Sequence, residues 1–347
     1  MQYRNLGNTE VQVSVICLGT MTWGQQNTQD EAFEQMDYAL TEGVNFFDTA
    51  ELYSIPLKAE TYGRTEAIIG EWIKTRRQRD KIVLATKIAG PGTDWIPHIR
   101  SGRTTFNRKH IQSALNASLQ RLQTDYVDLY QLHWPERKTN FFGQLGYIPE
   151  DDRQQTSFVE TLQALDEQVR AGKIRYIGLS NETPWGVMQF LQLAQQHNLP
   201  RVVSIQNPYN LLNRSYEIGL AEISWRETVG LLSYSPLGFG TLSGKYLDNR
   251  KPPGSRLDLF PQYTRYSNPN TICAIQRYTS LAKKHRLDPA QMSLAYVNSR
   301  PFLTSTIIGA TTIEQLKSNI NSIKLSLSVE VLEEIEKIHQ DHPNPSP

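Results

Sequence analysis

The sequence predicts a single α/β domain closed as a (β/α)8 TIM barrel, with a short N-terminal hairpin and long loops at the C-terminal face. Three observations carry this. Short apolar runs alternate eight times with amphipathic stretches of helical period. No GxGxxG turn follows any strand, which sets the doubly wound Rossmann sheet behind the barrel as runner-up. Three connections longer than the usual two to six residues all leave C-terminal strand ends, the face on which parallel barrels build their sites.

The elements follow in order. Tyr3–Leu6 and Val11–Val13 flank Gly7–Asn8 and read as a hairpin over the barrel bottom. Val13–Gly19 is the first barrel strand. Thr28–Thr41 is the first helix, with Asp30 and Glu31 in its first turn, Phe33, Met36 and Leu40 at helical spacing, and Gly43 as its stop. The remaining strands are Val44–Thr49, Lys81–Lys87, Val127–His133, Ile174–Ser180, Val202–Gln206, Val229–Ser235 and Ser305–Ile308. Helices are expected over Thr65–Thr75, Arg108–Leu122, Phe158–Ala171, Thr183–His197, Tyr216–Arg226 and Thr312–Ile320. Thr271–Asn298 reads as two helical stretches broken near Asp288–Pro289. The long loops are Glu51–Arg64, Trp134–Ser157 and Pro236–Asn270. Residues 1–340 are expected to form one domain, and 341–347 a frayed, flexible tail.

Composition narrows the function. The 347 residues carry 36 Lys plus Arg against 35 Asp plus Glu, a formal charge of +1. That balance argues against a nucleic-acid partner and a polybasic membrane patch. With 39% hydrophobic and 20% charged residues, the chain reads as globular. Two cysteines, Cys17 and Cys273, cannot build a disulfide scaffold or a zinc cluster. His133, His197 and the pair His339/His342 are spaced too widely for a metal site. The N-terminus shows no apolar signal region, and no run of 18 apolar residues exists. A cytoplasmic protein without membrane insertion is the expectation.

Four polar residues stand at or just beyond adjacent strand ends: Asp48, Tyr53, Lys87 and His133. Taken singly, each has an ordinary reading as a cap, a packing residue, a solvated charge or a satisfied histidine. Together at one barrel rim they can share a proton-transfer task.

With these residues the chain resembles the aldo-keto reductases over nearly its whole length. The motifs are GTMTWG at Gly19–Gly24, FFDTAELY at Phe46–Tyr53 and LQRLQTDYVDLYQLHWP at Leu119–Pro135. GKIRYIGLSN at Gly172–Asn181, IQNPYNLLNR at Ile205–Arg214, SYSPLGFGTLSGKY at Ser233–Tyr246 and IIGATTIEQLKSNI at Ile307–Ile320 continue it. The resemblance implies that Asp48, Tyr53, Lys87 and His133 are the catalytic tetrad of a carbonyl-reducing enzyme using NADP(H).

The chemistry agrees with the residue types. Reduction of a carbonyl needs a hydride on carbon and a proton on oxygen. A phenol of pKa about 10 is a poor acid unaided. A Lys87 ammonium paired to Asp48 would favour the phenolate that forms, and His133 would polarise the substrate oxygen. Tyr53 is therefore the expected acid in reduction and base in oxidation.

The cofactor side is read in the same way. Ser180, Asn181 and Gln206 either cap or hold a flat carboxamide, and the resemblance implies the second. It also implies that Tyr234 stacks on a nicotinamide ring, with Gly19, Thr20 and Asp48 close by. Ser235, Pro236, Leu237, Gly238 and Lys245 are implied to surround the dinucleotide. The spacing there is not a P-loop, because Tyr246 stands where Ser or Thr is required. Arg256 is implied to reach the adenosine 2′-phosphate, and Gly309, Thr311, Gln315 and Asn319 to border the adenine end. Some family branches carry a lysine where this chain has Gly309, so NADPH preference rests on Arg256 and the helix N-terminus.

Trp23, Tyr53 and Trp134, with aromatics from Phe141–Ile148, are expected to form an apolar slot for a small aldehyde, ketone or alcohol. Two other readings stand beside this one. One is a class I aldolase using Lys87 as a Schiff base. The other is a cofactor-binding regulatory subunit with little turnover. Protein partners are not legible.

Overall fold

The computed structural model describes residues 1–150 and 155–347. Its organising feature is the two-residue period of buried parallel strands. The strands β3 (Ile16–Gly19), β4 (Phe46–Asp48), β5 (Val83–Ile88), β6 (Val127–Leu132), β7 (Ile174–Ser180), β8 (Val202–Pro208), β9 (Gly230–Tyr234) and β10 (Leu303–Ile308) pair in chain order, and β10 pairs back on β3. All eight pairings are parallel, so the barrel has no open edge.

Helices follow each barrel strand, and the last two come after β10. They are α1 (Gln29–Thr41), α2 (Arg64–Arg76), α3 (Arg108–Leu122), α4 (Phe158–Arg170), α5 (Pro184–His197), α6 (Tyr216–Glu227), a short α7 (Arg256–Leu259), α8 (Pro269–Lys284), α9 (Pro289–Asn298), α10 (Ile313–Asn321) and α11 (Val329–Asp341). Local chemistry starts them. Thr28 and Glu31 form a reciprocal capping box at α1, and Asn107, Ser157, Thr183, Asp288 and Thr312 cap α3, α4, α5, α9 and α10.

Two apolar layers hold the barrel. The larger packs helices against the outer strand faces. The smaller fills the lower interior with Cys17, Phe46, Val83, Ala85, Leu129, Val203, Leu232 and Ile307. Leu6 and Val13 from the hairpin β1 (Tyr3–Asn5) and β2 (Gln12–Ser14) complete it from below. Gly7 makes that approach feasible. Its φ is +60°, and a Cβ there would lie 2.4 Å from the Val203 carbonyl oxygen.

Two residues further along the same strand faces, the layer turns polar. Cys17 leads to Gly19, Phe46 to Asp48, Ala85 to Lys87, Leu129 to Gln131, Leu232 to Tyr234 and Ile307 to Gly309. The period that buries the core thus also builds the floor of the site.

Several expectations need correction. Val13–Gly19 is not one strand. The chain bends at Val15, so β2 pairs with β1 while β3 joins the barrel. Helix α11 was not foreseen. It buries Val331, Ile335 and Ile338 in the outer apolar layer and packs beside α8. A fourth long loop, residues 89–107, connects β5 to α3.

The segment 341–347 is not frayed but docked. Asn344 Oδ1 accepts from Arg214 N at 2.6 Å, and Pro345 O accepts from Asn268 Nδ2 at 2.8 Å. Ser346 N donates to Leu212 O at 3.1 Å. Its polar groups find fixed partners, which its composition does not reveal. The expected loop Trp134–Ser157 is present on both flanks, and its residues 151–154 lie outside the described residues.

The bottom layer gives a stability prediction. Leu6→Ala should lower the urea-unfolding free energy by about 2–5 kcal/mol, because the barrel above cannot collapse into the void. Ile218→Ala, at a side chain 81% exposed, should change it by about 0.5 kcal/mol or less.

Candidate active site

Asp48, Lys87, Tyr53 and His133 meet at the top of the barrel. Lys87 is fully buried on β5. Its Nζ lies 2.6 Å from Asp48 Oδ2, donates to Thr49 O at 2.8 Å, and approaches Tyr53 Oη at 3.4 Å. The other Asp48 oxygen, Oδ1, accepts from Gln206 Nε2 at 2.9 Å and Gln131 Nε2 at 3.1 Å. Thr20 Oγ1 donates to the Asp48 carbonyl at 2.9 Å. Tyr53 and His133 stand edge to face, with ring centroids 5.8 Å apart.

Burial and neighbouring charge together set the protonation states. For Lys87, burial alone favours the neutral amine, but Asp48 and Tyr53 outweigh it and leave the ammonium more stable than in water. Tyr53 is held protonated. Burial raises its pKa most, the charge of Lys87 opposes that rise, and Arg256 opposes it more weakly. Burial thus exceeds the lowering influence of Lys87 that the residue types alone suggest. His133 is pushed well below the usual histidine range by burial and then by Lys87, so its imidazole is neutral at neutral pH. A neutral ring keeps one N–H to donate to an oxygen and lacks the acidic second proton of an imidazolium.

Above this floor opens a cavity of about 930 Å³. Of the cofactor residues expected from sequence, Gly19, Thr20, Asp48, Ser180, Asn181, Gln206, Tyr234, Ser235, Pro236, Leu237, Lys245, Arg256, Gly309, Thr311, Gln315 and Asn319 all line it. Gly238 does not. It turns the chain at φ +53° and donates its N–H to Ser235 O.

The polar groups along the wall are ordered. Asn181 Nδ2 donates to His133 O at 2.9 Å, and Tyr234 Oη donates to Asn181 Oδ1 at 2.7 Å. Ser180 Oγ donates to Gln206 O at 2.9 Å. Gln315 Oε1 accepts from Thr311 N at 3.0 Å. Nothing lies within 4 Å of where a Gly309 Cβ would stand, so that wall is open. Among the described residues, no carboxylate pairs with Lys245, Arg256 or Arg265, all three of which face the cavity. These donors, an aromatic face and unneutralised cations fit a nicotinamide dinucleotide.

The substrate side differs from expectation at one tryptophan. Trp23 is wholly buried, and its Nε1 donates to Gln35 Oε1 at 3.2 Å. It packs the core under α1 and α2 and takes no part in the cavity. Trp95, from the unforeseen fourth loop, stands there instead. Its ring lies 4.8 Å from Trp134 and 6.3 Å from Phe142. Trp134 and Phe142 were expected at this wall, and both line it.

A buried ion pair holds this side in place. Glu51, fully buried two residues before Tyr53, accepts from Arg100 Nη1 at 2.8 Å and Nη2 at 2.6 Å. It also accepts from Ala89 N at 2.6 Å and Tyr62 Oη at 3.1 Å. The Tyr53 loop is thus tied to the loop that carries Trp95.

Sequence reading missed Gln131, Glu51, Trp95 and Arg265. For Gln131 a signal existed, since it lies between Leu129 and His133 on one strand face. The other three depend on loop folding that no period announces.

With the geometry in place, comparison with known proteins is decisive. The Aldo/keto reductase family model matches residues 15–340. The chain belongs to the aldo-keto reductase family. It is 52% identical over 347 residues to "Protein tas" of Escherichia coli (strain K12), covering 100% of both chains. It is 35% identical over 338 residues to "Uncharacterized oxidoreductase YrpG" of Bacillus subtilis (strain 168), covering 96% of this chain and 94% of that one. Similarity extends to a "Probable voltage-gated potassium channel subunit beta" of Arabidopsis thaliana, 30% identical over 354 residues, 99% of this chain and 98% of that one. The family is one of oxidoreductases that act on small carbonyl substrates and generally use NAD(P)H. Among the described residues, no helix is long and apolar enough to cross a membrane.

The buried neutral His133 predicts a pH dependence. The unfolded chain takes up a proton near pH 6.5, whereas the folded chain resists doing so until well below it. Stability should therefore fall as pH drops through about 6.5. In His133→Gln the melting temperature should fall less steeply over that range, as measured by calorimetry.

Proposed function

We propose that the protein is an NADP(H)-dependent reductase of small aldehydes and ketones, with Tyr53 as the proton donor. The observation that carries the reading is the contact chain Asp48–Lys87–Tyr53 beside His133, at the floor of a cavity large enough for both a dinucleotide and a small substrate.

Ser180, Asn181 and Gln206 would hold the nicotinamide carboxamide, and Tyr234 would face its ring. Lys245 and Arg256 would meet the phosphates. When bound, the reduced nicotinamide supplies the hydride.

The protein's own groups handle the oxygen. His133 donates an N–H to the substrate carbonyl oxygen and withdraws charge from its carbon. Tyr53 keeps its proton until charge develops on that oxygen, because burial disfavours the phenolate. Lys87 then stabilises the phenolate at 3.4 Å, and Asp48 keeps Lys87 charged and aimed. Trp95, Trp134 and Phe142 offer an apolar wall suited to flat or aliphatic substituents and help exclude water.

The Schiff-base alternative finds less support. An aldolase lysine must be neutral to attack, while Asp48 and Tyr53 hold Lys87 as an ammonium. The tetrad is compatible with both turnover and cofactor sensing, and turnover with a broad aldehyde panel distinguishes them.

Two variants test the proposal. Tyr53→Phe should abolish reduction of an aldehyde panel while leaving NADPH affinity within a few fold; unchanged turnover would refute the assignment. Arg256→Ala should weaken NADPH about ten- to a hundredfold, the range for one charge-assisted contact, and leave NADH nearly unaffected. Equal losses for both cofactors would remove Arg256 from the 2′-phosphate.

A further inference from the structure

The floor of the site contains a side chain that neither proton delivery nor the cavity wall uses. Gln131 is completely buried on β6, one layer beneath His133. It is not among the residues lining the cavity. Leu129 below it belongs to the apolar interior, so an aliphatic residue at 131 would continue the core.

Instead, the barrel makes room for an amide. A Cβ on Gly178 of β7, directly paired with Gln131, would lie 3.2 Å from Gln131 Cγ and 2.6 Å from Ser204 Oγ. Only glycine leaves that space open.

The amide closes a triangle. Gln131 Nε2 donates to Asp48 Oδ1 at 3.1 Å, Gln206 Nε2 donates to the same oxygen at 2.9 Å, and Gln206 Nε2 donates to Gln131 Oε1 at 3.1 Å. An ionised carboxylate only accepts hydrogen bonds, so both amides must turn nitrogen toward Asp48. That orientation commits both Gln206 Nε2 hydrogens, one to Asp48 and one to Gln131. Gln206 then has its Oε1 left for a cavity ligand, an acceptor that suits an amide –NH2.

We propose that Gln131 is a positioning residue that locks Gln206 and Asp48 in one hydrogen-bonded unit, coupling the nicotinamide-binding wall to the Lys87–Tyr53 proton donor. The inference rests on the reductase reading above and names a residue that touches neither cofactor nor substrate.

Two variants separate this from mere packing. Gln131→Met keeps the volume but removes both hydrogen bonds. It should weaken NADP+ about tenfold, the factor expected for one lost hydrogen bond to a charged group, and lower kcat with little change in carbonyl KM. A purely structural role would lower the melting temperature and leave affinity unchanged.

Gln131→Glu is the second probe. Its protonated carboxyl can still donate to Asp48 and accept from Gln206, whereas its ionised form places like charge beside Asp48. Facing that position are Asp48 from β4, Lys87 from β5 and His133 on β6. The β7 and β8 strands contribute Gly178, Ser204 and Gln206, which do not titrate. Burial and Asp48 favour the neutral acid, and Lys87 opposes them.

NADP+ affinity, read by quenching of tryptophan fluorescence, should be near wild type at the acid end of the profile and fall about tenfold as pH rises. The wild type should lack that transition. Wild-type affinity and kcat in both variants at every pH would overturn the proposal. If Gln131→Met fails to fold, a flat Gln131→Glu profile matching wild type overturns it alone. A wild-type protein that binds NADP+ but reduces no carbonyl would refute the reductase reading and leave the affinity comparison valid.

Discussion

The contact between Lys87 Nζ and Asp48 Oδ2, 2.6 Å long and shielded from water, is the constraint around which the upper barrel is arranged. Burying two charges is costly, and their mutual attraction offsets that cost only when the remaining donors and acceptors are satisfied. The barrel supplies those partners from separate elements. Thr49 O accepts a second hydrogen bond from Lys87 Nζ, while Gln131 and Gln206 donate to the other Asp48 oxygen. Removing either charge would strand the other, so the pair is better understood as an orienting device than as a source of stability.

Stability and chemistry are divided by height. The lower interior is apolar and closed by Leu6 and Val13. One strand step higher, the same face presents Gly19, Asp48, Lys87, Gln131, Tyr234 and Gly309. The glycines leave open volume where large side chains would fill it. The loops then complete what the strands cannot. Glu51 and Arg100 join two of them, bringing Trp95 over the wall that already carries Trp134 and His133.

Much of this is legible in the sequence. The alternation of apolar strands and amphipathic helices located all eight barrel strands, because burial on both faces leaves a direct compositional trace. The meeting of Asp48, Tyr53, Lys87 and His133 at one rim was legible from strand ends, and most of the cavity wall from the family resemblance of the motif segments. Trp23 misled because an aromatic beside a motif reads the same whether it faces a cavity or a helix; only the packing of α1 and α2 decides. Trp95 and Arg100 were invisible because an irregular loop has no period. The docked C-terminal segment was missed for a related reason, since Pro-rich polar residues give no sign of the Arg214, Asn268 and Leu212 groups that receive them.

The central claim is that the cavity above Asp48, Lys87, Tyr53 and His133 is a dinucleotide site with a cation placed for an extra phosphate. A side-by-side fluorescence titration of the purified protein with NADPH and NADH tests it most directly. NADPH should bind saturably and markedly more tightly than NADH. Absence of saturable binding by either nucleotide would contradict it and return attention to the amine of Lys87 as the reactive group.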